Sequence, residues 1–318
     1  MFAIGLNSYG GPEVLQRVEL QDPHPTAGQV RVKVRAAGIN PVDVMVRDGS
    51  LADWFDTAQP PFVPGMDIAG TIDEIGEGIA PGLAAAIGQD VVGIVDNFGS
   101  YGGYSQYVCL PAASVIPVPE GVEFPAAASF LMNALTARNA LDTLKLRVGS
   151  TLLVTGAAGA VGAYAVALAH NDGLRVVAIA SAQDEAFLRS AGASDIIPRG
   201  EDVAARVRDA VPAGVDAVVD AASLGKQIVP AVRDNGTIIT LRPGTEHRLE
   251  RGIKPVFVNV RERVSDHATI AELGQQVASG LLSLRVAATY PAAEAAAAHR
   301  RLEQGGLRGR LILRFDAV

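Results

Sequence analysis

The segment TLLVTGAAGAVGAYAVALAHNDG, residues 151–173, constrains this chain more than any other part of it. An apolar, β-rich run at 151–155 leads directly into Gly156, Ala157, Ala158, Gly159, Ala160, Val161 and Gly162, and then into an uncharged helical stretch. With Ala157, Gly159 and Gly162 at the three small positions, it is a close variant of the Gly-rich pattern that joins a strand to a helix at a dinucleotide site. At Gly159 no Cβ holds the backbone away from a pyrophosphate. Gly162 lets the helix lie close on the strand, and the helix N-terminus offers N–H groups to the anion. A tight turn of purely structural use is the competing reading; the strand before the loop and the helix after it favour the dinucleotide. The uncharged run 151–169 has the length of a membrane span, but its three glycines and many alanines fit a buried strand, turn and helix.

A second strand, 175–180, ends at Ala180-Ser181, where an NAD site usually presents Asp or Glu to the ribose hydroxyls. With no carboxylate at those two positions, NADP (NADPH) is favoured. Arg199, just past the third strand, is placed to meet a 2′-phosphate with its fork of donors; a solvated loop charge is the alternative.

A chain of 318 residues fits two domains. From Gln29, QVRVKVRAAG alternates apolar and polar positions, the period of a half-buried strand. Short runs at 68–72, 91–95 and 104–110, separated by Gly, Pro and Asp, continue a β-rich or barrel-like first domain. A Pro-rich connection at 117–125 precedes a helix over 126–144, in which Phe124, Ala128, Leu131 and Leu135 recur at helical spacing. Apolar strands at 151–155, 175–180, 195–197, 215–219, 237–241 and 256–260 then alternate with helices such as 183–191. That alternation implies a parallel, doubly wound sheet covered on both faces. The tail, a helix at 292–304 and a strand at 310–315, does not extend it. The expected class is α/β, divided as 1–122, 123–260 and a C-terminal segment 261–318 that returns to the first domain.

Composition narrows the partner. A net charge of -7 with scattered Lys and Arg leaves no footprint for nucleic acid or an anionic membrane, so a small molecule is expected. Cys109 is the one cysteine, which excludes an internal disulfide and any multi-cysteine zinc site. The N-terminus has neither a basic region nor an apolar core of the secretory kind, and a cytoplasmic location is expected. The histidines His24, His170, His247, His267 and His299 are far apart in sequence and are read as surface or capping residues. No metal ligation is expected of them.

Four ordered motifs, NPVDVMVRDG at 40–49, VPGMDIAG at 63–70, GGYSQYV at 102–108 and VTGAAGAVG at 154–162, resemble the zinc-free quinone oxidoreductases of the medium-chain dehydrogenase/reductase superfamily. The resemblance covers about 30–313. It implies a GroES-like first domain, a Rossmann second domain, a cleft between them and a homodimer. It also implies that Asn40 replaces the first zinc ligand of alcohol dehydrogenases, that no histidine stands in Pro-Gly-Met-Asp at 64–67, and that Asn133 lies near the third ligand position. The lobe that holds structural zinc in those enzymes is reduced to cysteine-free GLAAAIGQDVVG. Two departures stand out: Met45 or Leu51 where relatives often carry tyrosine, and Asp184 where they carry lysine. Asp67 is read as structural, and Trp54 with Phe55 as a packed pair or a pocket mouth.

The function implied is hydride transfer from NADPH to a quinone or enone, without zinc, with Asn40, Asn133 and Thr136 orienting the nicotinamide. An enoyl or 2-alkenal reductase of the same superfamily and a non-catalytic NADPH-binding protein are the alternatives.

Overall fold

The computed structural model describes residues 1–55, 59–83, 85–98, 100–244 and 249–315. His247, and Ala84 within the reduced lobe, lie outside them. The chain divides into two units: 1–132 with 264–280 and 284–318, and 133–263 with 281–283.

The first unit is built on a seven-stranded sheet. Its longest strand, Gln29–Ile39, buries Val30, Val32 and Val34 and turns the intervening polar residues outward, as the alternation requires. Asp67–Ile75 pairs antiparallel along one edge of it. The other edge is shared: Tyr107–Pro111 takes its first half, and the C-terminal strand Arg310–Arg314 takes its second, with Leu311 opposite Ile39. The C-terminal segment is therefore stitched into this unit by backbone pairing. Val286–Pro291 then adds to Arg310–Arg314 in parallel. An N-terminal hairpin of Phe2–Gly5 and Gln16–Glu19 caps the same core, and the sequence reading does not find it.

The second unit carries a six-stranded sheet, parallel throughout, of Asp195–Pro198, Arg175–Ala180, Thr151–Thr155, Val215–Asp220, Val232–Thr240 and Lys254–Phe257 in that spatial order. Numbered along the chain, the order is 3-2-1-4-5-6, that of the Rossmann sheet. Leu153, Val177, Val218 and Ile238 from four strands meet Val203 and Val207 of the helix Val203–Ala210 in one core.

Four expectations are corrected. The helix over 126–144 is interrupted: a turn at Phe124–Ala127 stops, Ser129 Oγ bonds Ala126 O at 2.6 Å, and the long helix begins at Leu131. Such a local side-chain bond competes with the helical ladder. The division between units falls after Met132 rather than at 122/123, because residues 124–128 pack on the first sheet. A Cβ on Gly38 would stand 2.4 Å from Ala128 O. The return begins at Val264 rather than 261, and the last strand of the second unit is Lys254–Phe257 rather than 256–260. There Asn259 Oδ1 accepts from Arg261 N at 3.1 Å and bends the chain into the tight turn Val260–Arg263.

Candidate functional site

The Gly-rich loop lies where the sequence pattern puts it, between strand Thr151–Thr155 and helix Ala160–Asn171. Gly156 leaves the strand with φ 56°, a left-handed turn that favours glycine, and Ala157 N is held by Ile179 O of the neighbouring strand at 3.2 Å. Gly159 N bonds Gly156 O at 2.8 Å and Ala163 N bonds Gly159 O at 3.1 Å. The amides of Ala160, Val161 and Gly162 thereby stand at the open end of the helix, where an anion is welcome.

The two later glycines differ in what demands them. A Cβ on Gly162 would sit 2.3 Å from Gly156 O and 2.8 Å from Ala157 Cα, so helix and loop pack only because it has none. A Cβ on Gly159 would meet a single protein atom, Gly156 O at 3.0 Å, and its φ of -77° suits any residue. Packing requires glycine at 162 and scarcely at 159.

At the end of the second strand Ser181 Oγ donates to Asp184 Oδ2 at 2.5 Å, and Asp184 is 3% exposed. A one-turn bend over Ala182–Asp184 brings this carboxylate back to the strand end. The sequence marks Asp184 as a departure from the lysine of relatives but does not show that its carboxylate folds back onto Ser181. Pro198 pairs with Ala180, so exposed Arg199 follows alongside Ser181 on the adjacent strand. Asn133 and Thr136 are buried on one face of the helix Leu131–Leu144.

Asn40 belongs to the first unit. It is fully buried at the N-terminus of the helix Pro41–Asp48, its backbone N donates to Asp43 Oδ2 at 2.7 Å, and its amide Nδ2 donates to Asp67 Oδ2 at 3.0 Å. Asp67 also accepts from Met132 N at 2.7 Å. Its carboxyl is pushed up by burial and held back by the Arg310 charge.

The sequence reading missed the network behind Asn40. Asp43 accepts from Gly65 N at 2.9 Å and from Tyr104 OH at 3.2 Å; Tyr104 OH meets His299 Nε2 at 3.0 Å, and His299 Nδ1 meets Arg47 Nη1 at 3.4 Å. Arg47 also pairs with Glu303 at 2.6 Å. Arginine only donates, so Nδ1 accepts, the proton sits on Nε2, and the tyrosine hydroxyl is free to donate to Asp43. Burial pushes Asp43 up to about 7, and burial with the nearby Arg47 charge pushes His299 down to about 3. His299 is thus a buried member of a network, correcting its reading as a surface or capping residue. On the helix Ala295–Glu303 it shares a face with buried Ala295. His24, in contrast, is exposed and bonds Glu74 at 3.0 Å.

Trp54 and Phe55 pack as an aromatic group around Phe98, with ring centroids 5.2 and 4.7 Å from it. Among the described residues no three His, Cys, Asp or Glu side chains come together as a metal group would need. Of the zinc-ligand positions that the resemblance implies, Asn40 holds the first, residues 64–67 contain no histidine and Asn133 lies near the third, and none of these residues supplies an imidazole or thiolate. The residues present do not fit a catalytic zinc.

Comparison with known proteins places this geometry. Residues 26–120 match the alcohol dehydrogenase GroES-like domain, and residues 191–313 match the zinc-binding dehydrogenase family. The human quinone oxidoreductase is 28% identical over 334 residues, covering 98% of this chain and 97% of that one. The structure of the quinone oxidoreductase from Coxiella burnetii superposes with a TM-score of 0.84 at 28% identity, over 99% of both chains. A mycobacterial protein solved in complex with NADPH gives 0.84 at 27% identity, over 99% of this chain and 100% of that one. The loop, the 3-2-1-4-5-6 sheet and these matches along the whole length agree: the chain belongs to the medium-chain dehydrogenase/reductase superfamily, as an oxidoreductase of the quinone oxidoreductase kind.

Proposed function

We propose that this chain is an NADPH-dependent oxidoreductase that passes a hydride to a quinone or another conjugated carbonyl acceptor without zinc. The observation that carries the cofactor reading is the contrast between Gly162, demanded by packing, and Gly159, whose missing Cβ leaves room on the side away from the protein. NADPH, when bound, supplies the hydride from its nicotinamide ring. The amides of Ala160, Val161 and Gly162, with the small residues Gly156, Ala157, Ala158 and Gly159, receive the pyrophosphate, and Ser181 and Arg199 receive the 2′-phosphate. Asn133 and Thr136 orient the nicotinamide by hydrogen bonds that need no titration, and the same kind of role is proposed for Asn40. Asn40 is suited to this because Asp43 and Asp67 fix it.

A conjugated acceptor spreads the incoming electron pair onto a distant oxygen, which hydrogen-bond donors can stabilise. A saturated ketone concentrates the charge on its own carbonyl oxygen, where a Lewis acid would supply several kcal/mol and a positioned proton donor is the other route. Metal-free protein is therefore expected to turn over quinones or enones at least about a hundredfold faster than a saturated ketone of similar size. Steady-state rates with a chelator present check this; comparable ketone turnover refutes it. Enoyl and 2-alkenal reduction fall within the same chemistry, and failure of every acceptor in the presence of bound NADPH would favour the non-catalytic alternative.

A second reading, NADH, is favoured by the Asp184 carboxylate beside Ser181, since an anion at the strand end suits ribose hydroxyls and opposes a phosphate. Titration separates the two. On the first reading NADPH binds tighter than NADH and Arg199→Ala narrows the ratio by about tenfold. Tighter NADH binding, with Asp184→Asn shifting the balance towards NADPH, establishes the second. No helix among the described residues is long and apolar enough to cross a membrane. A homodimer is proposed on the family resemblance, and a cytoplasmic location on the character of the N-terminal sequence.

A further inference from the structure

We infer that Asp220 is a positioning residue that sets the shape of the dinucleotide loop, a reading that rests on the nucleotide binding proposed above. Strands Thr151–Thr155 and Val215–Asp220 are the neighbours at which the sheet order jumps from 1 to 4, and Asp220 lies opposite Thr155 at their carboxyl ends. Ligands of open parallel sheets occupy the crevice outside such a switch point. There Asp220, 3% exposed, accepts from Thr155 Oγ1 at 2.6 Å, from Leu224 N at 3.0 Å and from Gly225 N at 2.9 Å. Thr155 Oγ1 accepts in turn from Ala222 N at 2.9 Å.

One carboxylate and one hydroxyl thus tie the residue before Gly156 to the loop 221–225. The two loops are already close: a Cβ on Gly156 would meet Ala222 Cβ and N at 3.3 Å. Ser223, between the tied residues, holds a left-handed φ of 54°, a conformation that persists only where its surroundings impose it. The loop also walls a cavity of about 180 Å³ with Asp220, Ser223, Lys226 and Thr240 among its lining residues. Leu224 N and Gly225 N belong to the loop and Thr155, itself fully buried, is the last residue of its strand, so the loss of Asp220 frees the loop while Leu152, Leu153 and Val154 keep their apolar contacts.

Three variants test the inference. Asp220→Asn presents an amide N–H to groups that themselves donate; Thr155→Val removes the hydroxyl, and Thr155→Ser keeps it. Asp220→Asn and Thr155→Val are expected to raise the Kd and KM for the nicotinamide dinucleotide by about tenfold or more, with the KM for a quinone acceptor moving less than about threefold. Thr155→Ser is expected to retain an affinity close to that of the parent protein. A folded Asp220→Asn protein with unchanged cofactor affinity overturns the inference. If that variant does not fold, the valine and serine variants decide, and equal impairment in both overturns it. Parent protein that binds neither NADPH nor NADH overturns the cofactor reading and this inference together, whereas normal binding in the parent with unmoved variants overturns this inference alone.

Discussion

Gly162→Val is expected to abolish nucleotide binding and to destabilise the second unit by about 3 kcal/mol or more, the upper end of the usual cost of forcing extra carbons into a packed site. The atoms in the way are backbone: Gly156 O at 2.3 Å and Ala157 Cα at 2.8 Å from the added Cβ. Neither can swing aside as the end of a side chain would. The helix Ala160–Asn171 must lift away from the loop, and with it go the contacts of buried Ala165, Val166, Leu168 and Ala169. Gly159→Val separates folding from binding. Its Cβ meets one protein atom at 3.0 Å, so the protein is expected to melt close to the parent while binding of either nucleotide is lost. Thermal denaturation and nucleotide titration of the pair give the comparison. A Gly162→Val protein that melts with the parent would show that the helix does not depend on this close approach.

The parts of this structure legible in the sequence are those encoded in local periodicity. Runs that are apolar throughout read as buried parallel strands, and 151–155 and 175–180 match Thr151–Thr155 and Arg175–Ala180 at both ends. The loop is legible because its residue types are imposed by backbone conformation and close approach. Side-chain bonds erased other boundaries: Ser129 breaks a helix that apolar spacing alone would continue, and Asn259 ends a strand run early. The N-terminal hairpin has no such period to read, since its strand Gln16–Glu19 is mostly exposed.

The buried polar network was illegible for a different reason. Its bonds join residues 61, 195 and 256 positions apart, Asp43 to Tyr104, Tyr104 to His299 and Arg47 to Glu303. Only one local signal pointed to it: His299 shares a helix face with Ala295 and Leu302, which is where a buried residue sits. Asp184 is visible in the sequence as a departure from the lysine of relatives, but its bond to Ser181 is not, because it depends on a short turn over Ala182–Asp184 that spacing does not specify.

The second large effect is expected at Arg310. Arg310 is 5% exposed; its guanidinium donates to Ile39 O and is the cation that favours the charged forms of both Asp43 and Asp67. Arg310→Met keeps the length and removes the charge, leaving two buried carboxylates against a thioether. Breaking a buried charge pair in this way costs about 3–5 kcal/mol. The loss should depend on pH, with a sign fixed by Asp43. In the parent its proton is held up to about pH 7, against about 3.9 in an unfolded chain, so between these values the folded state carries more protons. Stability from this group is present at acid pH and falls as the pH rises from about 4 to about 7. His299 acts oppositely: neutral in the fold down to about 3 and protonated below about 6.5 when unfolded, it adds stability as pH rises through that window. These slopes oppose one another in the parent. In Arg310→Met the carboxyl of Asp43 moves higher still, as does that of Asp67. At about pH 8 both must ionise without their cation or take up protons at a cost, whereas at about pH 5 Asp43 is already neutral and asks less of Arg310. Denaturant unfolding at the two values is therefore expected to show the larger destabilisation at the higher pH, and Arg310→Lys, which keeps the charge, to recover most of the pH-dependent part. Equal losses at both values would mean that Arg310 acts through its bond to Ile39 O and its packing, with no hold on the carboxylates.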